Sequence, residues 1–156
     1  MTEANSQAAL PSVQLFTDGG CSGNPGPGGW AFVLRHPDSG KELEQSGAVQ
    51  DTTNNRMELM AAIRGLGTLT CPSAVELLTD SVYVGQGITE WMPKWKANGW
   101  QRRPRGGEVK NLDLWKTLDK LLAKHEVVFT HVRGHSGHPE NERCDTAAVA
   151  AYQKFL

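Results

Sequence analysis

Four carboxylates stand at points of the chain where they could act together on a metal ion. Asp18 and Asp80 each follow a short run of β-forming residues, and Glu58 and Asp145 each fall in the first turns of a predicted helix. In an α/β sheet, the carboxyl ends of parallel strands and the helices that begin there meet at one edge. Clustered carboxylate oxygens suit the hard cations Mg²⁺ and Mn²⁺. Each acid alone also fits a local role at a turn or helix N-terminus, so only their joint placement favours a metal site.

Three histidines near the C-terminal end offer a second kind of chemistry. His131, His135 and His138 are interrupted by glycine and proline, which excludes a helix that would align them, and no cysteine pair accompanies them. A structural zinc site is therefore not predicted. His135 lies ten residues before Asp145 and is better suited to proton transfer beside a metal. The alternative for His135 is an ordinary exposed loop histidine.

A glycine-rich segment, residues 19–29, looks at first like a loop that cradles phosphates. A nucleotide-binding loop of that kind requires a helix directly after it, whereas two prolines and then strand-like residues follow here. Nucleotide binding is therefore rejected. The segment is interpreted as a wide hairpin turn whose glycines let the backbone of a partner approach closely.

Positive charge and tryptophan are concentrated in one segment. Six cations and one anion lie between Lys94 and Lys110, a net charge of +5, although the whole chain carries −1. Four of the five tryptophans lie in or beside this segment, namely Trp91, Trp95, Trp100 and Trp115. The combination is typical of a surface that contacts phosphates, but charge counting alone favours a solvated basic loop that the tryptophans anchor to the core.

The elements that must position these residues follow from the hydrophobic pattern. Strands are predicted over 13–17, 30–35, 42–49, 74–78 and 127–132. Helices are predicted over 57–69 after the capping residues 52–55, from Ser81 through Gly85, from Thr89 through Trp95, and over 111–124 and 141–156. This order predicts an α/β fold in which a mixed sheet has helices on both faces. The first three strands are expected to be antiparallel, and the last two to be joined by helical crossovers.

Composition limits the class of protein. With 156 residues, 38% of them hydrophobic and 21% charged, the chain is expected to form one soluble domain over residues 13–156 after a flexible N-terminus, residues 1–12. Neither a membrane span nor a signal peptide is expected. Three cysteines without close pairing indicate reduced thiols and a cytoplasmic location. The domain is expected to be a monomer.

Five ordered blocks of this sequence resemble bacterial type 1 ribonuclease H. They are TDGG at 17–20, GNPGPGG at 23–29, TTNNRMEL at 52–59, TDS at 79–81 and GHSGHPENERCD at 134–145. The resemblance covers nearly the full length, from about Val13 to the C-terminus. It implies a ribonuclease H fold, whose five-stranded mixed sheet has the order 3-2-1-4-5 and is flanked by helices. It also implies Mg²⁺-dependent hydrolysis of the RNA strand of RNA–DNA hybrids, which leaves 5′-phosphate and 3′-hydroxyl ends.

The resemblance assigns the catalytic roles residue by residue. Asp18, Glu58, Asp80 and Asp145 match the family's metal-binding acids, which hold two Mg²⁺ ions for which Mn²⁺ can substitute. Asp18 would bridge both ions, Asp145 would share the ion that activates water, and Glu58 with Asp80 would hold the ion near the leaving oxygen. His135 matches a mobile histidine that assists proton transfer and product departure.

The resemblance also implies how the hybrid is bound. Residues that match contacts to the hybrid backbone and minor groove are Asn24, Thr53, Asn54 and Asn55. The segment from Trp91 to Lys110 resembles a basic protrusion in which Trp91 and Trp95 face the DNA strand. The cations expected to contact phosphates there are Lys94, Lys96, Arg102, Arg103 and Arg105. Two other functions remain as alternatives: an integrase-like DNA strand-transfer domain of the same fold, and a catalytically silent hybrid-binding module. The asparagine-rich block and the complete set of four acids count against both.

Overall fold

The computed structural model describes residues 10–102, 107–133 and 139–156. A five-stranded sheet of order β3-β2-β1-β4-β5 lies at its centre. The strands are β1 (Ser12–Cys21), β2 (Gly26–Arg35), β3 (Glu42–Thr52), β4 (Ala74–Thr79) and β5 (Glu126–His131). β1, β2 and β3 are antiparallel neighbours, whereas β4 is parallel to β1 and β5 is parallel to β4. The predicted strand order and directions are confirmed.

Five α-helices connect or follow the strands in the described ranges. They are α1 (Asn54–Gly67), α2 (Val82–Gln86), α3 (Met92–Ala97), α4 (Leu112–Lys124) and α5 (Pro139–Tyr152). A π-helical turn, Gly87–Trp91, joins α2 to α3, and a 3-10 turn, Gln153–Phe155, follows α5. The Thr53 side chain accepts the N–H of Arg56 at the start of α1, and the Ser81 hydroxyl accepts the N–H of Val84 at the start of α2. Both caps satisfy backbone donors at a helix start, as predicted.

The two faces of the sheet carry separate hydrophobic clusters. Because side chains alternate along a strand, Leu15 and Phe16 of β1 point to opposite faces. Leu15 packs in a cluster with residues of α1 and α4 such as Met57 and Trp115. Phe16 packs in a second cluster with Cys144 and Ala148 of α5. The prediction of helices on both faces is confirmed, and the active-site candidates lie where these layers meet.

Two local predictions are wrong. Asp18 does not end the first strand, because β1 continues to Cys21 by pairing with residues 28–31 of β2. Most of the glycine-rich segment is therefore paired strand, and the chain turns only at residues 22–25. Thr89 does not cap a helix; it lies inside the π-helical turn, where its hydroxyl donates to the Gly85 carbonyl at 2.9 Å.

Candidate active site

Asp18 lies at the point where the sheet opens. The parallel pairing of β1 with β4 ends at Phe16 and Leu78, whereas β1 remains paired with β2 at Asp18 and beyond. Asp80 directly follows the last residue of β4, so it lies beside this opening. Both acids are half-buried. They thus occupy the carboxyl edge of the parallel strands, where α/β sheets place their ligand sites.

Three of the four acids interact directly around Asp18. Burial, followed by the charges of Asp80 and then Asp145, raises the pKa of Asp18 to about 8. A side-chain hydrogen bond between Asp18 and Asp145 raises this pKa too, whereas the N–H of Gly19, which donates to Asp18 Oδ1 at 2.9 Å, lowers it. Close carboxylates cannot all ionise without cost. The structure therefore brings together acids from β1, from the end of β4 and from α5.

Glu58 joins this group through Asp80. Burial raises the pKa of Glu58 to about 7, a hydrogen bond from the Ser81 side chain opposes the shift, and the charge of Asp80 adds to it. The Ser81 hydroxyl also accepts the N–H of Val84 as the α2 cap. Its second contact, to Glu58, was missed by the sequence analysis, although Ser81 lies in one of the resembling blocks.

Two glycines let the helices that carry Glu58 and Asp145 approach the sheet. A Cβ atom on Gly19 would collide with the backbone of Met57 and with the amide nitrogen of Glu58, and one on Gly29 would collide with the Ala148 carbonyl. Only glycine permits such backbone contacts. Gly19 and Gly29 thus serve close contacts within the chain, whereas the approach of a partner's backbone to the glycine-rich segment stays a prediction.

The donor set has the chemistry of a site for a hard divalent cation. All four acids present oxygen ligands. Burial first, and neighbouring carboxylates second, raise the pKa values of Asp18 and Glu58, and a bound cation would favour the ionised form of both. Within the described ranges, however, no group of three or more His, Cys, Asp or Glu side chains is arranged to hold one ion. The metal-binding roles therefore stay predictions. His135 lies outside the described residues.

The predicted asparagines border the same edge and are linked to one another. Asn54 Oδ1 accepts the N–H of Cys21 at 2.8 Å, and Asn24 Oδ1 accepts the N–H of Asn54 at 3.1 Å. Asn24, Asn54 and Asn55 are exposed, whereas Thr53 is half-buried and its hydroxyl is used by the α1 cap. Cys21, which anchors Asn54, was not among the predicted site residues, because its contact joins the end of β1 to the start of α1 and leaves no local pattern.

A basic aromatic groove of about 370 Å³ lies beside α2 and α3. It is lined by Tyr83, Trp91, Lys94, Trp95, Arg102 and Lys110. Trp91 packs against Tyr83 and Trp95 with ring centroids 5.6 and 6.0 Å apart, and Trp95 packs against the buried Trp115 at 5.5 Å. The tryptophans therefore anchor the segment to the core, as the solvated-loop interpretation expected, and also line a surface groove. Arg103 and Arg105 lie outside the described residues.

Lys96, a predicted substrate contact, lies outside this groove. Its Nζ pairs with Asp119 Oδ1 of α4 at 3.0 Å, and both side chains border a separate depression near Met92. Lys94 lines the groove instead. The role of Lys96 in substrate binding stays a prediction.

A side-chain network connects the first turn of α1 with the groove. Arg56 donates to both carboxylate oxygens of Asp113 at 3.0 and 2.9 Å and to Asn111 Oδ1 at 3.2 Å. Asn111 Nδ2 and Trp115 Nε1 each donate to the Tyr83 hydroxyl at 3.0 Å. The sequence analysis missed Arg56, Asn111 and Asp113, because contacts between residues so far apart leave no periodic signal.

Comparison with known proteins gives one consistent result. The family model described as RNase H matches residues 11–153. A Ribonuclease H of Rhodopirellula baltica is 56% identical over 158 residues, covering 100% of both chains. A Ribonuclease H of Hydrogenovibrio crunogenus is 56% identical over 146 residues, covering 94% of this chain and 99% of the relative.

Solved structures agree with the sequence relatives. LC9-RNase H1, described as a type 1 RNase H with the type 2 active-site motif, superposes with a TM-score of 0.81 at 32% identity, over 95% of this chain and 75% of that one. LC11-RNase H1, solved in complex with an RNA/DNA hybrid, has a TM-score of 0.69 at 25% identity, over 91% of this chain and 97% of that one. In the ranges that the structure describes, no helix is long and apolar enough to cross a membrane. Fold, sequence and full-length coverage coincide, and the chain is therefore an enzyme of the RNase H family.

Proposed function

We propose that the enzyme hydrolyses the RNA strand of RNA–DNA hybrids in a Mg²⁺-dependent reaction that leaves 5′-phosphate and 3′-hydroxyl ends. The observation that carries the proposal is the mutual interaction of four acids at one sheet edge: Asp18 with Asp80 and Asp145, and Glu58 with Asp80. The hybrid bound to LC11-RNase H1, a structural relative, supports the choice of substrate.

Asp18, Glu58, Asp80 and Asp145 would hold the divalent cations, Mg²⁺ or Mn²⁺. When bound, two such ions would stabilise the negative charge on both the attacking and the departing oxygen of an in-line displacement. The carboxylates bind a cation in their ionised form, so protons compete for Asp18 and Glu58, whose pKa values lie near 8 and 7. His135 is assigned proton transfer through the resemblance of the 134–145 block.

The surfaces beside the acids suit the two strands of a hybrid. The exposed amides of Asn24, Asn54 and Asn55 can hydrogen-bond to base edges and 2′-hydroxyls, which distinguish RNA from DNA. The groove offers Trp91 and Trp95 for stacking, together with Lys94, Arg102 and Lys110 for phosphates. Because the Arg56 network joins these two surfaces, a hybrid that fills the groove is held in register with the acids.

All four acids belong to one chain, which suits a monomeric enzyme. Cys21, Cys71 and Cys144 are free thiols, which suits a reducing compartment such as the cytoplasm.

One gel assay tests the proposed function against its alternatives. Hybrid, duplex RNA and duplex DNA of the same sequence are incubated with the enzyme in Mg²⁺, in Mn²⁺ and in EDTA, and the product ends are identified with a phosphatase and a ligase. We expect cleavage of RNA in the hybrid only, with metal only. Binding of hybrid without cleavage would instead support the silent module, and strand transfer on DNA the integrase-like domain.

A further inference from the structure

Five charged side chains clamp the start of α5 to the β2–β3 hairpin. Arg35 Nη2 lies 2.6 Å from Glu140 Oε2 and 2.7 Å from Glu42 Oε2. Arg143 donates to Glu42 Oε1 at 2.8 Å and to Glu44 Oε1 at 2.5 Å. Glu42 therefore holds one arginine with each of its carboxylate oxygens. We refer to Arg35, Glu42, Glu44, Glu140 and Arg143 as the ion-pair clamp.

The spacing of the clamp residues along β2, β3 and α5 places their side chains on facing surfaces. Glu42 and Glu44 are two positions apart on β3 and so share a face of the sheet, and Arg35 is the register partner of Glu42 on β2. Glu140 and Arg143 are three positions apart on α5 and so share a face of the helix. Two points of the helix are thereby fixed to one hairpin, which defines the rotation of the helix as well as its distance. The arginines also lower the pKa values of Glu42 and Glu140, as expected for charge-assisted hydrogen bonds.

Hydrophobic packing at this end of α5 is thin. Over the whole helix the buried residues are Asn141, Cys144 and Ala148, none of which has a large apolar side chain. Cys144 Sγ contacts the Phe16 carbonyl at 3.4 Å, and the backbone of Ala148 lies against Gly29. Small side chains bring a helix close to a sheet but do little to fix its rotation, whereas two arginines with defined partners do.

Asp145 lies directly after Cys144 and two residues after Arg143, and its carboxyl group must meet Asp18. We infer that Arg35, Glu42 and Arg143 are positioning residues that set the orientation of α5 and thereby hold Asp145 in place against Asp18. The inference rests on the proposed function of these two acids. It deepens that proposal, because it assigns a role in the reaction to side chains that touch neither the substrate nor the acids.

The clamp is expected to affect catalysis more than folding. Ion pairs at the surface contribute little to the free energy of unfolding, and the side chains of the clamp are 22–42% exposed. Catalysis is far more sensitive to geometry, since a misplacement of about 1 Å can cost about 10²-fold in rate. Loss of the clamp would leave a folded enzyme in which Asp145 samples several orientations.

Glu42→Gln and Arg143→Gln test this inference because they change the net charge in opposite directions. If the clamp acted only through the general attraction of the enzyme for a polyanion, the first variant would bind the hybrid more tightly and the second more weakly. If the clamp positions Asp145, both variants lose activity. Glu126→Gln is the matched control for Glu42→Gln, because Glu126 is an exposed glutamate at the opposite end of the sheet from the acids.

The readouts are kcat on a saturating hybrid, the dissociation constant for Mg²⁺ measured by calorimetry without substrate, and the thermal midpoint. We expect both clamp variants to lose about 10-fold in kcat and to bind Mg²⁺ more weakly, while the control keeps wild-type values. We expect the double variant to be no worse than the poorer single variant, because both break one network. Lower thermal midpoints with unchanged kcat and unchanged Mg²⁺ affinity would overturn the inference and reduce the clamp to a structural role.

If the proposed function itself is wrong, the same measurements give different results. In that case the wild-type enzyme itself shows no Mg²⁺-dependent hydrolysis of the hybrid, and Asp18→Asn does not change the calorimetric titration. Failure of the clamp inference alone leaves both of these wild-type signals intact.

Discussion

Gly19 on β1 lies against the backbone of Met57 on α1 with no room for a Cβ atom between them. Because Asp18 precedes Gly19 and Glu58 follows Met57, this contact sets how closely the two acids approach. Gly19→Ala would push α1 away from the sheet. We expect it to lower the free energy of unfolding by about 1–3 kcal/mol, the usual cost of overpacking, and to abolish most hydrolysis.

Gly67→Ala is the control for Gly19→Ala, because Gly67 also lies on α1 but a Cβ there meets nothing within 4 Å. We expect this variant to keep its activity and to gain about 0.4–1 kcal/mol of stability. Urea denaturation and the gel assay measure both effects. Full activity of Gly19→Ala would contradict the role given to the contact.

Asp18→Asn separates folding from catalysis. Asparagine has the same shape but cannot supply the charge for metal binding, so we expect hydrolysis to fall by about 10³-fold or more. Hybrid binding, followed by fluorescence anisotropy, should remain near the wild-type value. Asp38→Asn, in the exposed β2–β3 turn, is the control and should be fully active. Near-normal turnover of Asp18→Asn would exclude Asp18 as a metal ligand.

The pH dependence of the free energy of unfolding, measured in EDTA, tests the raised pKa values of Asp18 and Glu58. The pKa values of Asp18 and Glu58 are raised to about 8 and 7, so between pH 4 and pH 8 the folded state binds more protons than the unfolded state. The stability that these two groups contribute is therefore greatest below about pH 4, falls as pH rises from about 4 to about 8, and no longer changes at higher pH. Asp18→Asn and Glu58→Gln should each flatten this fall in urea denaturation series. A wild-type profile without any fall would contradict the raised pKa values.

His125 is expected to change stability with pH in the opposite direction. It is buried, its Nδ1 accepts the N–H of Ser73 at 3.0 Å, and its Nε2 has no hydrogen-bond partner among residues 10–102, 107–133 and 139–156. Burial lowers its pKa from 6.5, so the unfolded state takes up a proton first and stability is lost as pH falls below about 6.5. We expect His125→Asn, which keeps an acceptor for Ser73, to remove this loss. An unchanged slope below pH 6.5 in the variant would show that another group causes it.

The groove cations should control affinity rather than chemistry. Replacing Lys94, Arg102 and Lys110 together by alanine is expected to weaken binding to hybrids of every sequence, because phosphate contacts do not read bases. Each lost contact should reduce the slope of log K against log salt concentration by about 0.7–0.9, while kcat at saturation stays constant. The control replaces the exposed Lys41, Lys120 and Lys154, which do not line the groove. If both triple variants reduce the slope of log K against log salt concentration by the same amount, the groove cations are not specific phosphate contacts.

The fold was predictable because its signals are local. β2 and β5 contain uninterrupted runs of β-forming residues, and Thr53 and Ser81 stand where a capping residue must precede a helix. The strand limits near residues 18–21 were not predictable, since glycine lowers strand propensity and only the pairing with β2 extends β1. Thr89 was taken for a cap because its side chain fits that role, but the chain around it was already helical.

The acids of the candidate site could be predicted from the sequence, but the residues that hold the surrounding elements in place could not. Asp18, Asp80, Glu58 and Asp145 each have a position that topology brings to one edge, and the resembling blocks contain all of them. Arg56 with Asp113, and Arg143 with Glu42, are pairs whose partners lie on other elements. Such pairs depend on the final packing angles, which no single stretch of sequence encodes. Lys94 and Lys96 could not be told apart by charge, yet only Lys94 lines the groove.

The aromatic rings beside the groove also give the enzyme an optical signal of its own. Tyr83, Trp91, Trp95 and Trp115 form a closed cluster of four tilted or edge-to-face ring contacts, with centroids 5.3–6.0 Å apart. Rings at these distances couple their excited states, so this cluster is expected to dominate the near-ultraviolet circular dichroism. A strand that stacks on Trp91 or Trp95 changes the signal, whereas bond cleavage at the acids does not. This signal therefore reports occupancy of the groove independently of hydrolysis.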